Sequence, residues 1–164
     1  MHRSSSLRAG VVLGAAALVV ALLPVNASAA SPRRGAGFQG TSSQKAGALS
    51  LPVDLRVANG RSVSRFDIQW SARCTAPDGR GSLGGLSVTL NKAVSRLGSF
   101  GDDANFTRDF GGGTKGVFTV KLRGRFTRRT SATGTFRVSV SIRNAGNTQI
   151  DTCDSGNITW RARD

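Results

Sequence analysis

The chain has no tyrosine and no glutamate, and its only histidine, His2, lies in the first few of its 164 residues. Those absences close off much familiar chemistry. An imidazole base, as in Ser-His-Asp or Cys-His catalysis, is missing from everything downstream of His2. Two cysteines without a second histidine cannot furnish the four soft ligands of a zinc site. No tyrosine, and only two tryptophans, leave little from which to build a sugar-stacking cleft. Long apolar runs are also lacking: Val11 to Leu23 is too short to serve as a permanent membrane span, and no stop-transfer segment follows it.

That apolar run is instead the centre of an export signal. Met1 to Arg8 carries two arginines and no acid, and Ala27-Ser28-Ala29 gives the small-x-small pattern read by a signal peptidase. Residues 1–30 are therefore expected to be cleaved, with the mature chain starting near Ala30 or Ser31 and working as a secreted, extracellular protein. Cleavage removes Arg3 and Arg8 and no acid, which lowers the net charge from +14 to +12 and leaves 134 residues, enough for one domain with a real core. What is present is lopsided: nineteen arginines to four lysines, twenty-one glycines, and nine acids that are all aspartate. Coding from a GC-rich genome produces the same bias, so composition alone does not designate a ligand.

In an oxidising compartment Cys74 and Cys153 are expected to form one disulfide. Closing that 79-residue separation is worth up to about 4.5 kcal/mol in the chain-entropy model. Residues 31–37 (Ser-Pro-Arg-Arg-Gly-Ala-Gly) show no apolar period and read as a flexible leader, with the domain proper at 38–164. From there the apolar period is two. Phe66, Ile68, Trp70, Ala72 and Cys74 alternate with polar residues, as do Leu86, Val88 and Leu90. The pattern returns at Phe118, Val120, Leu122 and Phe126, at Phe136, Val138, Val140 and Ile142, and at Ile158, Trp160 and Ala162. A run from Ala48 to Val57 alternates too, with Pro52 marking it as an edge or broken strand. Turn residues separate these segments at Asn59-Gly60, Pro77-Asp78-Gly79, Gly111-Gly112-Gly113 and Ala145-Gly146-Asn147. The expected fold is all-β: a single antiparallel β-sandwich, or alternatively a flattened barrel, with Trp70 and Trp160 anchoring the core near the bridge.

Several motifs look chemical and dissolve in context. Gly79-Arg80-Gly81-Ser82-Leu83-Gly84 has dinucleotide-fingerprint spacing, yet no helix follows it, so it reads as a turn and no cofactor is expected. Ser42-Ser43-Gln44-Lys45 has the Ser-x-x-Lys spacing of penicillin-recognising enzymes without their other motifs. Asp102, Asp103, Asn105 and Asp109, between Gly101 and Gly111, read as an acidic loop. It offers a weak calcium site or, with Asp102, Asp103 and Asp109, the acids of a small extracellular hydrolase.

Positive charge on outward strand positions is the remaining signal. Lys121, Arg123 and Arg125 alternate with one strand's core residues, Arg137 and Arg143 with the next, Arg161 and Arg163 with the last, and Arg128 and Arg129 occupy a turn. Pairing Phe126 with Phe136 would set Arg125 opposite Arg137, an arrangement tolerable if well solvated or covered by an anion. Arginine's planar fork suits phosphate and carboxylate. Exposed aromatics, needed for single-stranded nucleic-acid recognition, are not interleaved with these cations, so sequence-specific nucleic acid is not an expected partner.

Trp70-x-x-x-Cys74, the stretch Gly134-Thr135-Phe136-Arg137-Val138-Ser139-Val140, and Cys153-Asp154-Ser155-Gly156-Asn157-Ile158-Thr159-Trp160 together resemble small exported β-rich proteins of actinobacteria. The resemblance covers most of residues 38–164. It implies one disulfide-closed β domain and supplies no catalytic or binding residues. The leading expectation is thus a secreted, monomeric or weakly associating protein that binds or coats rather than catalyses. Its basic face would meet cell-wall phosphate polymers, acidic glycans or extracellular DNA.

Overall fold

The computed structural model describes residues 30–58, 61–75 and 83–164. Residues 1–29 of the expected export signal, the Asn59-Gly60 and Pro77-Asp78-Gly79 turns, and positions 79–82 of the glycine motif lie outside the described residues. Within them the chain forms ten strands and no helix: β1 (Gly37–Ala46), β2 (Leu49–Ala58), β3 (Ser62–Ser71), β4 (Arg73–Cys74), β5 (Leu83–Ala93), β6 (Ser99–Gly111), β7 (Thr114–Arg128), β8 (Ser131–Arg143), β9 (Gln149–Asp154) and β10 (Ile158–Arg163). All pairings are antiparallel and belong to one sheet, curled into a half-barrel. Across the sheet the order is β6-β7-β8-β10-β1-β2-β3-β5, with β9 on the same edge of β8 as β10 and β4 beyond it. The two outer strands, β5 and β6, approach each other, and Lys92 reaches across to Asp102 at 3.3 Å.

Alternation decides which face is wet. Phe38, Val53, Leu55, Phe66, Ile68, Trp70, Leu122, Phe126, Phe136, Val138, Ile158 and Trp160 all point into the curl and form one core. Their aromatic rings interlock: Phe66 lies 5.1 Å from Trp160, and Phe126 packs 5.4 Å from Phe38 and 5.3 Å from Phe100. Gly124 and Gly134 are cross-strand partners at the centre of this face. A Cβ on Gly124 would collide with the Phe100 ring, and one on Gly134 with the Trp160 ring and the Arg123 carbonyl. The glycines let two large rings lie against the sheet.

Cys74 and Cys153 are bonded and stand directly opposite each other in the β4–β9 ladder. Pro52 departs from the edge position expected of it, since β2 is paired on both sides. It is accommodated because the β1–β2 register shifts between Thr41 and Lys45, and pairing to β3 begins only at Val53. In the shifted segment the Gln44 side chain acts as a substitute strand. Its carboxamide accepts from the Ser71 N–H at 2.7 Å and donates to the Ser71 and Ser155 carbonyls at 2.8 and 3.1 Å. Residues 31–36 are not a free leader either. Pro32 and Ala36 are buried, the Ala36 carbonyl accepts from the Val57 N–H at 3.0 Å, and Arg33 pairs with Asp164 at 3.1 Å.

Candidate functional site

The β7–β8 register does not pair Phe126 with Phe136. Phe126 stands opposite Ala132 and Arg125 opposite Thr133, because the turn at Arg129–Thr130 is tight and a bulge lies between Phe126 and Arg128. Lys121 is the residue facing Arg137.

Placing β10 against β8 assembles a pattern that spans three strands. Outward on β8 stand Ser131, Thr133 and Thr135. On one side β7 sets Arg128 opposite Ser131, Arg125 opposite Thr133 and Arg123 opposite Thr135. On the other, β10 sets Arg163 opposite Ser131, Arg161 opposite Thr133 and Thr159 opposite Thr135. A hydroxyl-lined track therefore runs along β8 between two arginine rails. The rails are two strand spacings, about 10 Å, apart at the backbone. Arg125, Arg128, Arg161 and Arg163 are exposed and make no ion pair among the described residues. Beside Arg161 the track opens onto β1, where Thr41, Ser43, Lys45, Ser50 and Thr159 line a hollow of about 320 Å³.

The other basic candidates are differently placed. Arg123 is held by Asp103 through two hydrogen bonds of 2.8 and 2.7 Å. That bond and the arginine's charge hold the Asp103 carboxyl below its ordinary value and raise the Arg123 guanidinium above its own. Arg137 is clasped by Asp154 at 2.9 and 3.2 Å. Burial alone would raise the Asp154 carboxyl, but Arg137 and the Gly156 N–H together bring it below the usual value. Arg143 lies at the far end of β8, donating to the Asn147 carbonyl at 3.2 Å, and Lys115 faces it from β7. Lys121 stays on the outer face, below the rails. Arg129, in the β7–β8 turn, points away from the track toward the leader.

The acidic residues are on a strand, not in a loop. Asp102 stands opposite the core residue Leu122, while Asp103, Asn105 and Asp109 alternate onto the other face. Six residues of strand separate Asp103 from Asp109, about 20 Å, far beyond the reach of one calcium shell. Their oxygens already have work: Asp103 holds Arg123, Asp102 meets Lys92, and Asp109 accepts from the Gly111 N–H at 2.7 Å. Adjacent aspartates on opposite faces cannot converge on one glycosidic bond. Cys74, Cys153 and Asp151 do approach one another. Both sulfurs are spent in the disulfide, and Asp151 accepts from the Thr75 N–H and hydroxyl at 3.0 and 2.8 Å. The hydroxyl track was not foreseen from sequence, since it exists only through the β8–β10 pairing of segments some 25 residues apart. No family model matches the chain, and neither the curated proteins nor the solved structures contain a match to it.

Proposed function

We propose that this chain is a secreted, non-catalytic binding module whose outer face holds a linear polyanion along β8. The observation that carries the reading is the set of four arginines, Arg125, Arg128, Arg161 and Arg163, without ion pairs among the described residues on both sides of a serine–threonine track. Like charges crowded on one face repel, and an anion between them relieves that repulsion. Guanidinium forks grip phosphate or sulfate, while hydroxyls donate to bridging oxygens and accept from polymer hydroxyls. Successive rail positions lie about 6.8 Å apart along the strand, a repeat suited to regularly spaced charges. A phosphodiester polymer of the cell wall fits best among the candidate partners. Sequence-specific nucleic-acid reading has no support on this face, because the strand aromatics Phe126, Phe136 and Trp160 are all turned into the core. Asp102, Asp103 and Asp109, the carboxylates a hydrolase reading would use, do not converge.

Retention on an immobilised phosphodiester polymer tests this. With four arginines engaged, the logarithm of the binding constant should fall against the logarithm of salt with a slope of about −3. Replacing Arg125 and Arg161 by alanine should flatten that slope by about 1.5. Binding that ignores salt would rule the reading out.

A further inference from the structure

A second group of arginines converges at the end of the half-barrel where Arg61, just before β3, and Arg129 of the β7–β8 turn meet the segment before β1. A cavity of about 650 Å³ is lined there by Ala30, Ser31, Pro32, Arg33, Arg34, Arg61 and Arg129. We infer that this cavity is a binding site for a phosphomonoester group, separate from the outer-face track.

Three stretches far apart in sequence deliver the four arginines. Arg33 and Arg34 come from the tied-down leader, Arg61 from the β2–β3 connection and Arg129 from the β7–β8 turn. One acid, Asp164, answers them, and it pairs with Arg33. Arg34, Arg61 and Arg129 make no ion pair among the described residues. Arg61 is also held in a left-handed conformation, φ 70°, which L-residues with side chains seldom adopt. Its carbonyl is fixed there by the Val94 N–H at 2.7 Å. The local backbone cost is borne at the position that presents a cation to the cavity.

Three arginines without an ion pair among the described residues, and a fourth shared with Asp164, line one space and match a dianion, since a guanidinium fork can donate two parallel N–H bonds to phosphate oxygens. The volume exceeds that of phosphate alone and falls in the range of small-ligand sites, so the phosphate would be one end of a larger molecule. If the export signal is cleaved near Ala30 or Ser31, the new α-ammonium stands on the cavity wall as a further donor. Arg128 and Arg163 lie at the nearby end of the outer-face rails. A phosphate-terminated polymer end and a free phosphorylated small molecule therefore share the required chemistry.

Calorimetric titration of the protein with inorganic phosphate at constant ionic strength tests the site. One phosphate should bind per chain. Arg61→Gln, Arg129→Gln and Arg34→Gln should each weaken it by about fivefold. Arg125→Gln with Arg161→Gln should leave phosphate affinity unchanged while reducing retention on the polymer, so that failure here and failure of the outer-face reading are separable. Arg34 makes no side-chain hydrogen bond or ion pair among the described residues, which keeps that variant informative if Arg61→Gln fails to fold. Absence of saturable binding at millimolar phosphate overturns the site, as does equal weakening by the cavity and outer-face variants. Comparing a phosphodiester oligomer with and without a terminal phosphate then separates the sources: tighter binding of the phosphorylated end identifies a polymer terminus, and equal binding identifies a free phosphomonoester.

Discussion

The two ends of the β7–β8 hairpin carry the same residue type and treat it in opposite ways. Toward the β7–β8 turn, Arg125 and Arg128 face threonine and serine across the ladder, with Arg161 and Arg163 beyond, and none of them has an ion pair among the described residues. Farther along, Arg137 is matched by Asp154 and Arg143 by the Asn147 carbonyl. Arg123 marks the boundary, facing Thr135 yet held by Asp103 from β6. Of the chain's nine aspartates, Asp154 serves Arg137 at the far end and Asp103 serves Arg123 at the boundary. The difference separates arginines held within the sheet from arginines without an ion pair among the described residues, which total charge could not do.

The strongest way to break this comparison is to remove the frame beneath it. Replacing both Cys74 and Cys153 by alanine should cost up to about 4.5 kcal/mol in denaturant unfolding, because the 79-residue loop is no longer closed. Hydrogen exchange should rise first in β4 and β9, at the end where the cations are paired, before β10 is affected. Gly134→Val comes next, at about 3 kcal/mol or more, since the new side chain meets the Trp160 ring and the Arg123 carbonyl. That site lies on the core side of the same strand that carries the track, so stability and polymer retention should fall together.

Smaller changes sharpen the contrast. Arg125→Ala with Arg161→Ala should lower polymer affinity by about tenfold at unchanged melting temperature, the worth of two exposed charge contacts. Arg137→Ala with Arg143→Ala should do the reverse, lowering the melting temperature slightly and leaving retention almost untouched. The mildest test is pH. Asp103 and Asp154 have folded-state values below their unfolded ones, so their contribution is complete above about pH 4 and is lost as pH falls through the lowered values. Stability followed by circular dichroism should begin to drop only below about pH 4, and faster in the native chain than in Asp154→Asn.

How much of this was legible in the residues varies by strand. Where one face is fully buried, as in β3, β7, β8 and β10, the two-residue rhythm read out directly, and the expected Cys74–Cys153 pairing is the one the structure holds. β6 was read as an acidic loop because Asp102, Asp103, Asn105 and Asp109 are turn residues by preference. An outer strand tolerates them, and its inward positions Phe100, Ala104 and Phe106 kept the period at lower contrast. The leader was read as free because Pro32 and Ala36 bury without any periodic pattern. The track itself is a product of strand order. Alternation tells which residues point outward but not which outward rows become neighbours, and the bulge after Phe126 moved the β7–β8 register away from the pairing that apolar matching favoured.

The most direct test of an open arginine track is a titration of the protein with a phosphodiester oligomer, followed through the arginine Nε–Hε resonances. The Arg125, Arg128, Arg161 and Arg163 signals should move together and saturate, while those of Arg123, Arg137 and Arg143 stay in place. Equal, unsaturating shifts across all seven arginines, or shifts led by Arg137, would contradict the account.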